Sequence, residues 1–371
     1  MTASIPRLYL GTMTFGWSQT SSKVTEPISL ELMNRFVDFQ TSYIDSGDND
    51  LKSKIFIDTA RIYAGGKTEQ ILGSTLSKIH HDLNSFEICV GTKAHPSQPN
   101  GLSKEGIMTQ FQNSLDSMNI EQVEEFYLHQ PDTEHSLLQS LQTAHELVQT
   151  NKINCIGMSN YHVTEVKRAF QLCEEYSLTK PSIYQGLYNP LNRMVEEELL
   201  PLLRENDCAF VAYNPLAAGL LTGKHKREDL ETNLVKKGRF QNNQNYLPRF
   251  FTHSNFDALH IIQSACDNEG ISLIEASFRW LLCHSSLRAE KKDGIVLGFS
   301  SMAQLDENLN GCQAAITSNP LSKDILKAFD EAWCIVKEKG CAFPYWRSYS
   351  SDMPDRENLD HGASYSANKV K

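Results

Sequence analysis

The feature that most constrains the fold is a regular alternation of short β-branched segments with amphipathic helical segments along 371 residues. Helical patterns such as 104–118, 163–176 and 196–206 separate eight segments that have the composition of strands. Neighbouring parallel strands need a crossover connection, so this alternation predicts a parallel sheet. The predicted strands are 7–10, 55–59, 88–92, 125–129, 155–159, 182–186, 210–214 and 295–298.

Polar residues at the ends of these strands favour a closed barrel over an open doubly wound sheet. In a (β/α)8 barrel the carboxyl ends of all strands meet on one face, which carries the active site. No G-x-G-x-x-G follows the first strand, as a dinucleotide-binding Rossmann unit would require. We therefore predict an α/β fold, a single TIM barrel over 1–350. The strand-end residues are Asp58, Lys93, His129, Ser159, Gln185 and Tyr213.

Four segments lie outside the regular repeat, and the sequence predicts a position or a degree of order for each. Segment 216–256 leaves the catalytic end of the seventh strand and is a candidate flap over a cofactor. Segment 41–54 enters the opposite end of the barrel, away from the chemistry. Residues 322–339 are predicted to form an extra C-terminal helix, and the polar segment 351–371 is predicted to be disordered.

Composition excludes several classes of function. The net charge of −10 argues against nucleic acid as a partner, and no run of 18 apolar residues is present that could span a membrane. The nine cysteines have no C-x-x-C spacing and the N-terminus has no basic segment followed by an apolar core, so we expect a reduced cytoplasmic protein.

The run His80–His81–Asp82 raises the alternative of a metal-dependent barrel hydrolase, but it lies at a helix end on the wrong face. No metal is therefore expected.

Four residues on neighbouring strand ends form a candidate proton-delivery site. Asp58 and Lys93 end adjacent strands, which lie about 4.8 Å apart in a sheet, and Tyr63 follows Asp58 in the loop. A lysine ammonium near a tyrosine lowers the tyrosine pKa from about 10, and Asp58 keeps that lysine charged. A neutral His129 can orient a carbonyl oxygen. Each residue alone has an ordinary structural reading, but together they predict proton transfer to a carbonyl.

Motifs along the chain resemble those of the aldo-keto reductases. FIDTARIY (56–63), GTKA, FYLHQPD, IGMSNY, YQGLYNP, YNPLAAGLLTGK and GFSSMAQLDENL occur in that family's order, and the resemblance covers 10–347. It implies a catalytic tetrad of Asp58, Tyr63, Lys93 and His129, with Tyr63 as the acid. It also implies NADP(H) as the cofactor.

The resemblance also implies which residues bind that cofactor. Asp58 would lie at the nicotinamide end, the loop 214–224 would hold the pyrophosphate, and the start of the last barrel helix would hold the adenosine. Gln304 stands where many members have arginine, so a preference for NADPH would depend on Lys224 and Arg239. The implied contacts are Ser159, Asn160, Gln185, Tyr213, Asn214, Leu216, Gly219, Lys224, Arg239, Ser300, Ser301, Gln304 and Asn308.

Two further segments resemble one branch of the family. GRFQNNQNYLPRFF (238–251) and CAFPYWR (341–347) are similar to the aflatoxin-aldehyde and succinic semialdehyde reductases. This implies that Arg249 and Arg347 bind a substrate carboxylate, beside Tyr246 and His129. The alternative is that both arginines are solvated surface charges. The expected reaction is NADPH-dependent reduction of aldehydes, including succinic semialdehyde or aflatoxin dialdehyde, to alcohols.

A second function remains open from the sequence. Channel-associated β subunits resemble this fold and keep its catalytic residues, so a cofactor-sensing binding protein with little turnover is the alternative. The expected partner of the reductase is a small-molecule aldehyde, and the expected assembly is a monomer or a homodimer.

Overall fold

Eight parallel strands close into a barrel in chain order. The computed structural model describes residues 5–44, 53–79, 86–232, 238–241, 243 and 246–363. The predicted barrel is confirmed, and the strand ends shift by only a few residues. The strands are β1 (Arg7–Gly11), β2 (Ser53–Asp58), β3 (Phe86–Ala94), β4 (Val123–Leu128), β5 (Ile153–Ser159), β6 (Ile183–Leu187), β7 (Ala209–Tyr213) and β8 (Gly294–Leu297).

Helices surround the barrel, and many begin at a serine or threonine cap. Ser103, for example, accepts a hydrogen bond from the Gly106 N–H, which satisfies a backbone donor left free at a helix start. The helices are α1 (Glu26–Ile44), α2 (Lys67–Leu76), α3 (Lys104–Met118), α4 (Leu137–Gln149), α5 (Val163–Glu175), α6 (Leu199–Glu205), α7 (Arg227–Glu231), α8 (Leu247–Phe250), α9 (His253–Glu269), α10 (Leu273–Arg279), α11 (Met302–Thr317) and α12 (Lys323–Glu338).

The predicted helices are found, with one division. Helix 104–118 has the predicted bounds, and α12 is the predicted extra helix. The predicted helix 196–206 is instead a 3₁₀ turn, Met194–Glu196, followed by α6. In the part of the chain that the structure describes, no helix is long and apolar enough to cross a membrane.

The core has two layers. One large cluster lies between the sheet and the helices, and a smaller one fills the barrel, because alternate residues of each strand point to opposite faces. The barrel interior contains Tyr9, Phe56, Cys89, Tyr127, Ile183, Ala209, Val211 and Val296.

The segment after β7 is more regular than a flap without secondary structure. It contains the 3₁₀ turn Ala217–Thr222 together with α7 and α8, and it reaches the start of α9. Residues 233–237, 242 and 244–245 lie outside the described residues, as do 45–52 of the 41–54 segment and the run His80–His81–Asp82.

The prediction of a disordered C-terminal segment is wrong for residues 351–363. Asp352 accepts hydrogen bonds from Arg168 and from the Leu137 N–H, at 2.7 and 2.8 Å. Farther along, Gly362 forms a backbone bridge with Arg347. The polar residues of this segment bind polar groups of the barrel helices, which composition alone cannot distinguish from solvation. Residues 364–371 lie outside the described residues.

A buried aspartate stabilises the pairing of β7 with β8. Asp293, which is fully buried, precedes β8 and accepts hydrogen bonds from the Phe210 N–H of β7 (2.8 Å) and from the Arg288 N–H (2.7 Å). Arg204 of α6 binds both of its oxygens at 2.9 and 2.5 Å. The β7–β8 register contains only the pairs Val211–Gly294 and Ala212–Ile295, so this carboxylate reinforces the shortest strand pairing.

We expect Asp293→Ala to lower the free energy of unfolding by about 3 kcal/mol, because it leaves Arg204 and two backbone N–H groups without their acceptor. Urea denaturation measures the change. The matched control is Asp207→Asn, which removes an ion pair with Lys291 in which the aspartate is 88% exposed and keeps a residue type that tolerates the left-handed backbone at this position (φ 48°). That variant should change the free energy by less than about 0.5 kcal/mol. Equal losses in the two variants would contradict this role for Asp293.

Candidate functional site

A buried ion pair lies at the carboxyl ends of β2 and β3. The Lys93 Nζ is 2.5 Å from the Asp58 Oδ1 and donates a second hydrogen bond to the Thr59 carbonyl at 2.7 Å. The Lys93 side chain is fully buried. Gln185 on β6 donates to the same Asp58 oxygen at 2.8 Å. The strand ends that the sequence predicts to converge therefore meet directly.

Tyr63 lies above this pair at the start of the 3₁₀ turn Tyr63–Gly66. The Lys93 Nζ is 5.6 Å from the centre of the Tyr63 ring, and the His129 ring meets Tyr63 edge-on at 5.9 Å. The loop is held by Arg61, which donates to the buried Glu69 carboxylate at 2.8 Å. The predicted tetrad is thus a single cluster.

The expectation that the pKa of Tyr63 lies below its ordinary value is wrong. The pKa of Tyr63 is raised well above its ordinary value, first by burial and then by the negative charge of Asp58. Asp58 lies directly against Lys93 and offsets part of its charge, so the ammonium does not bring the pKa of Tyr63 below its ordinary value. Tyr63 is therefore protonated at neutral pH, which is the form that a proton donor needs.

Two histidines in the site are neutral. Burial lowers the pKa of His129 well below its ordinary value, and nearby positive charge, including that of Lys93, lowers it further. His95 packs edge-on against His129 at 5.0 Å between ring centres, and burial lowers the pKa of His95 to about 3. Sequence reasoning missed His95, although it follows Lys93 by two residues and so lies on the same side of the chain.

A cavity of about 670 Å³ opens over this cluster, within the size range of ligand sites. Of the predicted tetrad, Asp58, Tyr63 and His129 line it, and Lys93 lies beneath. All but one of the predicted cofactor residues also line it; the exception is Ser301, which caps α11 by accepting from the Gln304 N–H.

At the inner end of the cavity, hydrogen bonds fix the predicted nicotinamide contacts. The Tyr213 hydroxyl donates to the Asn160 Oδ1 at 2.8 Å, and the Asn160 Nδ2 donates to the Ser159 Oγ at 2.9 Å. Asn160 has a left-handed backbone (φ 62°), and its carbonyl accepts from the Arg347 N–H at 2.9 Å. Asn160 therefore joins this end of the cavity to the C-terminal segment.

The outer part of the cavity follows the 3₁₀ turn after β7. Gly219 there has φ 105°, and no atom lies within 4 Å of where a Cβ would be, so the backbone is open to close approach by a ligand. Arg239 donates to the Asn214 Oδ1 at 3.3 Å. At the start of α11, the Gln304 Oε1 accepts from the Ser300 N–H at 2.8 Å, so this glutamine side chain is engaged within the protein.

The predicted substrate residues also line the cavity. Arg249 is buried, with its guanidinium carbon 4.1 Å from the centre of the Phe343 ring, so it is not a solvated surface charge. Arg347 donates to the Gln130 Oε1 at 2.9 Å. Gln130 also acts on the His95 ring, whose pKa it raises against the larger effect of burial. Gln130 is a second residue that sequence reasoning missed.

The cavity is basic although the chain is acidic. Its lining includes the cations Lys224, Arg239, Arg249 and Arg347, and Arg239 and Arg249 both lie against the Tyr246 ring. The lining carboxylates are Asp58, which Lys93 neutralises, and Glu307. A concave site with an excess of positive charge attracts anions, so the arrangement suits an elongated anionic ligand beside a smaller anionic one.

Comparisons with known proteins identify similar sequences. The Aldo/keto reductase family model matches residues 7–333. "Aflatoxin B1 aldehyde reductase member 2" from Rattus norvegicus is 36% identical over 304 residues, which cover 80% of this chain and 79% of the relative. The Mus musculus protein of that name is 34% identical and covers 89% of this chain and 85% of the relative. The Homo sapiens "Aldo-keto reductase family 7 member A3" is 36% identical, with coverages of 76% and 85%.

The low pKa of His95 predicts a loss of stability in mild acid. The unfolded chain takes up this proton near pH 6.5, whereas the folded chain takes it up only near 3, so stability falls as the pH is lowered between these values. From pH 7 to pH 5 His95 should contribute a loss of about 2 kcal/mol. We expect His95→Asn to reduce the wild-type loss by that amount in urea titrations at the two pH values.

The control for this measurement is His260→Asn, which changes an exposed residue of α9. It should leave the difference between pH 7 and pH 5 as it is in the wild type. An equal difference in the His95→Asn variant would show that His95 is protonated in the folded protein.

Proposed function

Because this chain belongs to the aldo/keto reductase family of oxidoreductases, we propose that it reduces aldehydes to alcohols with NADPH and that Tyr63 donates the proton. The observation that carries the proposal is the cluster of protonated Tyr63, neutral His129 and the buried Lys93–Asp58 pair at the base of a basic cavity. The relatives named as aflatoxin B1 aldehyde reductases support the substrate class.

The residues around the cavity fit a dinucleotide cofactor. The open backbone at Gly219 and the cations Lys224 and Arg239 suit its phosphates. The side chains of Ser159 and Gln185 suit an amide, and the Tyr213 ring offers an aromatic face. When bound, the cofactor supplies the hydride. A preference for NADPH over NADH would come from Lys224 and Arg239, since Gln304 is uncharged.

The protein's own part in the reaction is binding and proton delivery. His129 and Tyr63 line the same wall, so both can donate hydrogen bonds to one carbonyl oxygen. As negative charge develops on that oxygen, the Tyr63 hydroxyl gives up its proton. Lys93 then stabilises the tyrosinate. Asp58 holds Lys93 in place, and Gln185 in turn holds Asp58.

Arg249 and Arg347 support a preference for aldehydes that carry a carboxylate, such as succinic semialdehyde. The buried Arg249 and the half-buried Arg347 both line the cavity, and Gln130 orients the guanidinium of Arg347. Arginine binds carboxylates through two parallel hydrogen bonds, which makes the contact both strong and directional. Aflatoxin dialdehyde would use the same cavity without this contact.

We expect Tyr63→Phe to reduce kcat by about 10²–10⁴-fold, because it removes the general acid and leaves the ring in place. The assay follows the loss of near-ultraviolet absorbance of NADPH, and then of NADH, with succinic semialdehyde and with an uncharged aromatic aldehyde. Calorimetric titration should give an unchanged affinity for the cofactor. The control is Tyr176→Phe at a residue that is 47% exposed, with wild-type kcat.

Undiminished turnover in Tyr63→Phe would disprove its role as the acid. Tight binding of cofactor with no wild-type turnover on any aldehyde would point instead to a cofactor-sensing binding protein.

We expect Arg347→Met and Arg249→Met each to raise the KM for succinic semialdehyde by about 10–100-fold, the cost of losing a hydrogen bond to a charged group. The KM for the uncharged aldehyde should change by less than about threefold, since a loss near 0.6 kcal/mol is typical of a minor contact. Steady-state kinetics with both substrates measure the split. Lys327→Met, at a side chain that is 75% exposed, is the control. An equal rise in KM for both substrates would rule out carboxylate recognition.

A further inference from the structure

A carboxyl group is buried inside the barrel, below the proposed catalytic cluster. Glu125 on β4 is 3% exposed. Its Oε1 accepts from the Tyr9 hydroxyl at 2.8 Å, and its Oε2 accepts from the Tyr127 hydroxyl at 2.7 Å. Barrels of this kind are usually filled with branched apolar side chains, and burying a carboxyl is costly. Neither carboxyl oxygen reaches the cavity, so the mechanism above makes no use of this group.

Glycines on the neighbouring strands make room for this cluster. In the sheet register Gly91 lies opposite Glu125, and Gly157 lies opposite Tyr127. A Cβ on Gly157 would lie 2.2 Å from the Tyr127 ring, and a Cβ on Gly91 would lie 3.1 Å from the Glu125 Oε2. On β8, a Cβ on Gly294 would lie 2.6 Å from the Tyr9 ring. The barrel is therefore shaped around the carboxyl group and its two tyrosines.

Tyr127 connects this cluster to the ion pair above. Lys93 and Tyr127 are register partners on β3 and β4, and the Lys93 Nζ is 5.3 Å from the centre of the Tyr127 ring. A cation at this distance is attracted by the face of the ring. The same ring is fixed at its other end by the hydrogen bond to Glu125. A continuous series of contacts thus runs from Glu125 through Tyr127 to Lys93 and Asp58.

We propose that Glu125 is a positioning residue for the reduction. Glu125 holds Tyr127 under Lys93, and the charge of Glu125 changes the rate at which Tyr63 donates its proton. The inference rests on the proposed function, because the effect of the Glu125 charge is measured as a change in the rate of aldehyde reduction.

Glu125 has the property that this role needs. Burial raises the pKa of Glu125 to about 7, against the opposing effect of the hydrogen bonds from Tyr127 and Tyr9; the charge of Asp58 raises it further, and that of Arg7 lowers it. Burial also raises the pKa of Tyr9, Tyr127, Cys89 and Cys155, so these neighbours stay neutral near pH 7. The titratable and charged groups around Glu125 are Tyr9 and Arg7 on β1, Asp58 on β2, Cys89 and Lys93 on β3, Tyr127 and Glu124 on β4, and Cys155 on β5.

The direction of the effect follows from the sign of the charge. Below pH 7 Glu125 is protonated and neutral, and above pH 7 it adds a negative charge beneath Lys93. That charge offsets part of the support that Lys93 gives to the Tyr63 anion, so proton donation becomes harder. The kcat for aldehyde reduction should therefore fall as the pH rises through about 7, by roughly three- to tenfold for a unit charge one barrel layer away.

The test is the pH profile of kcat for the wild type and for Glu125→Gln between pH 5.5 and 9, with saturating NADPH and an uncharged aldehyde. Glutamine keeps the shape of the side chain but cannot ionise, so the fall near pH 7 should disappear. Tyr9→Phe removes a hydrogen bond that lowers the pKa of Glu125, so the fall should move to higher pH. A merely structural role for Glu125 would change kcat or stability without moving the profile.

Each outcome decides between the claims. If the wild type turns over and the fall near pH 7 persists unchanged in both variants, this role of Glu125 is wrong while the reductase stands. A wild type with no turnover would overturn the proposed function and this inference with it. Should Glu125→Gln fail to fold, Tyr9→Phe alone decides, because an unmoved profile in that variant contradicts the inference.

Discussion

The site depends on the contact between Lys93 and Asp58. An ammonium with no exposure to solvent needs a compensating anion, because burying an unpaired charge costs far more than an ordinary hydrogen bond returns. The contact ties the end of β2 to the end of β3, and Gln185 extends it across the barrel to β6. The Tyr63 loop and the wall of the cavity are placed relative to this pair.

The same contact explains why one expectation from sequence was wrong. Proximity to a lysine was expected to make Tyr63 a stronger acid, but burial and the negative charge of Asp58 together raise the pKa of Tyr63. The resting tyrosine therefore holds its proton, and burial strengthens that hold. A list of residues at strand ends predicts which side chains meet. It does not predict how burial and the neighbouring charges together shift the pKa of each side chain, since that depends on distances in the folded protein.

Other features show where sequence patterns stop being informative. The eight strands and their polar ends could be predicted because alternation and turn chemistry are local properties. Glu125 was missed, although it shares a strand face with Tyr127 and His129 at a spacing of two, and that spacing is the signal that could have found it. Residues 351–363 were misjudged because a polar segment that binds other polar groups has the same composition as one that binds water.

The crossing of the C-terminal segment over the barrel mouth has a consequence for how the protein matures. The last barrel strand ends at Leu297, while Arg347 reaches the cavity only when its backbone pairs with Asn160 and Gly362. All eight strands and Arg249 are therefore synthesised before Arg347, the second of the two arginines proposed to bind the substrate. The proposed carboxylate site would be completed last in the growing protein, and trimming of this segment would remove half of it.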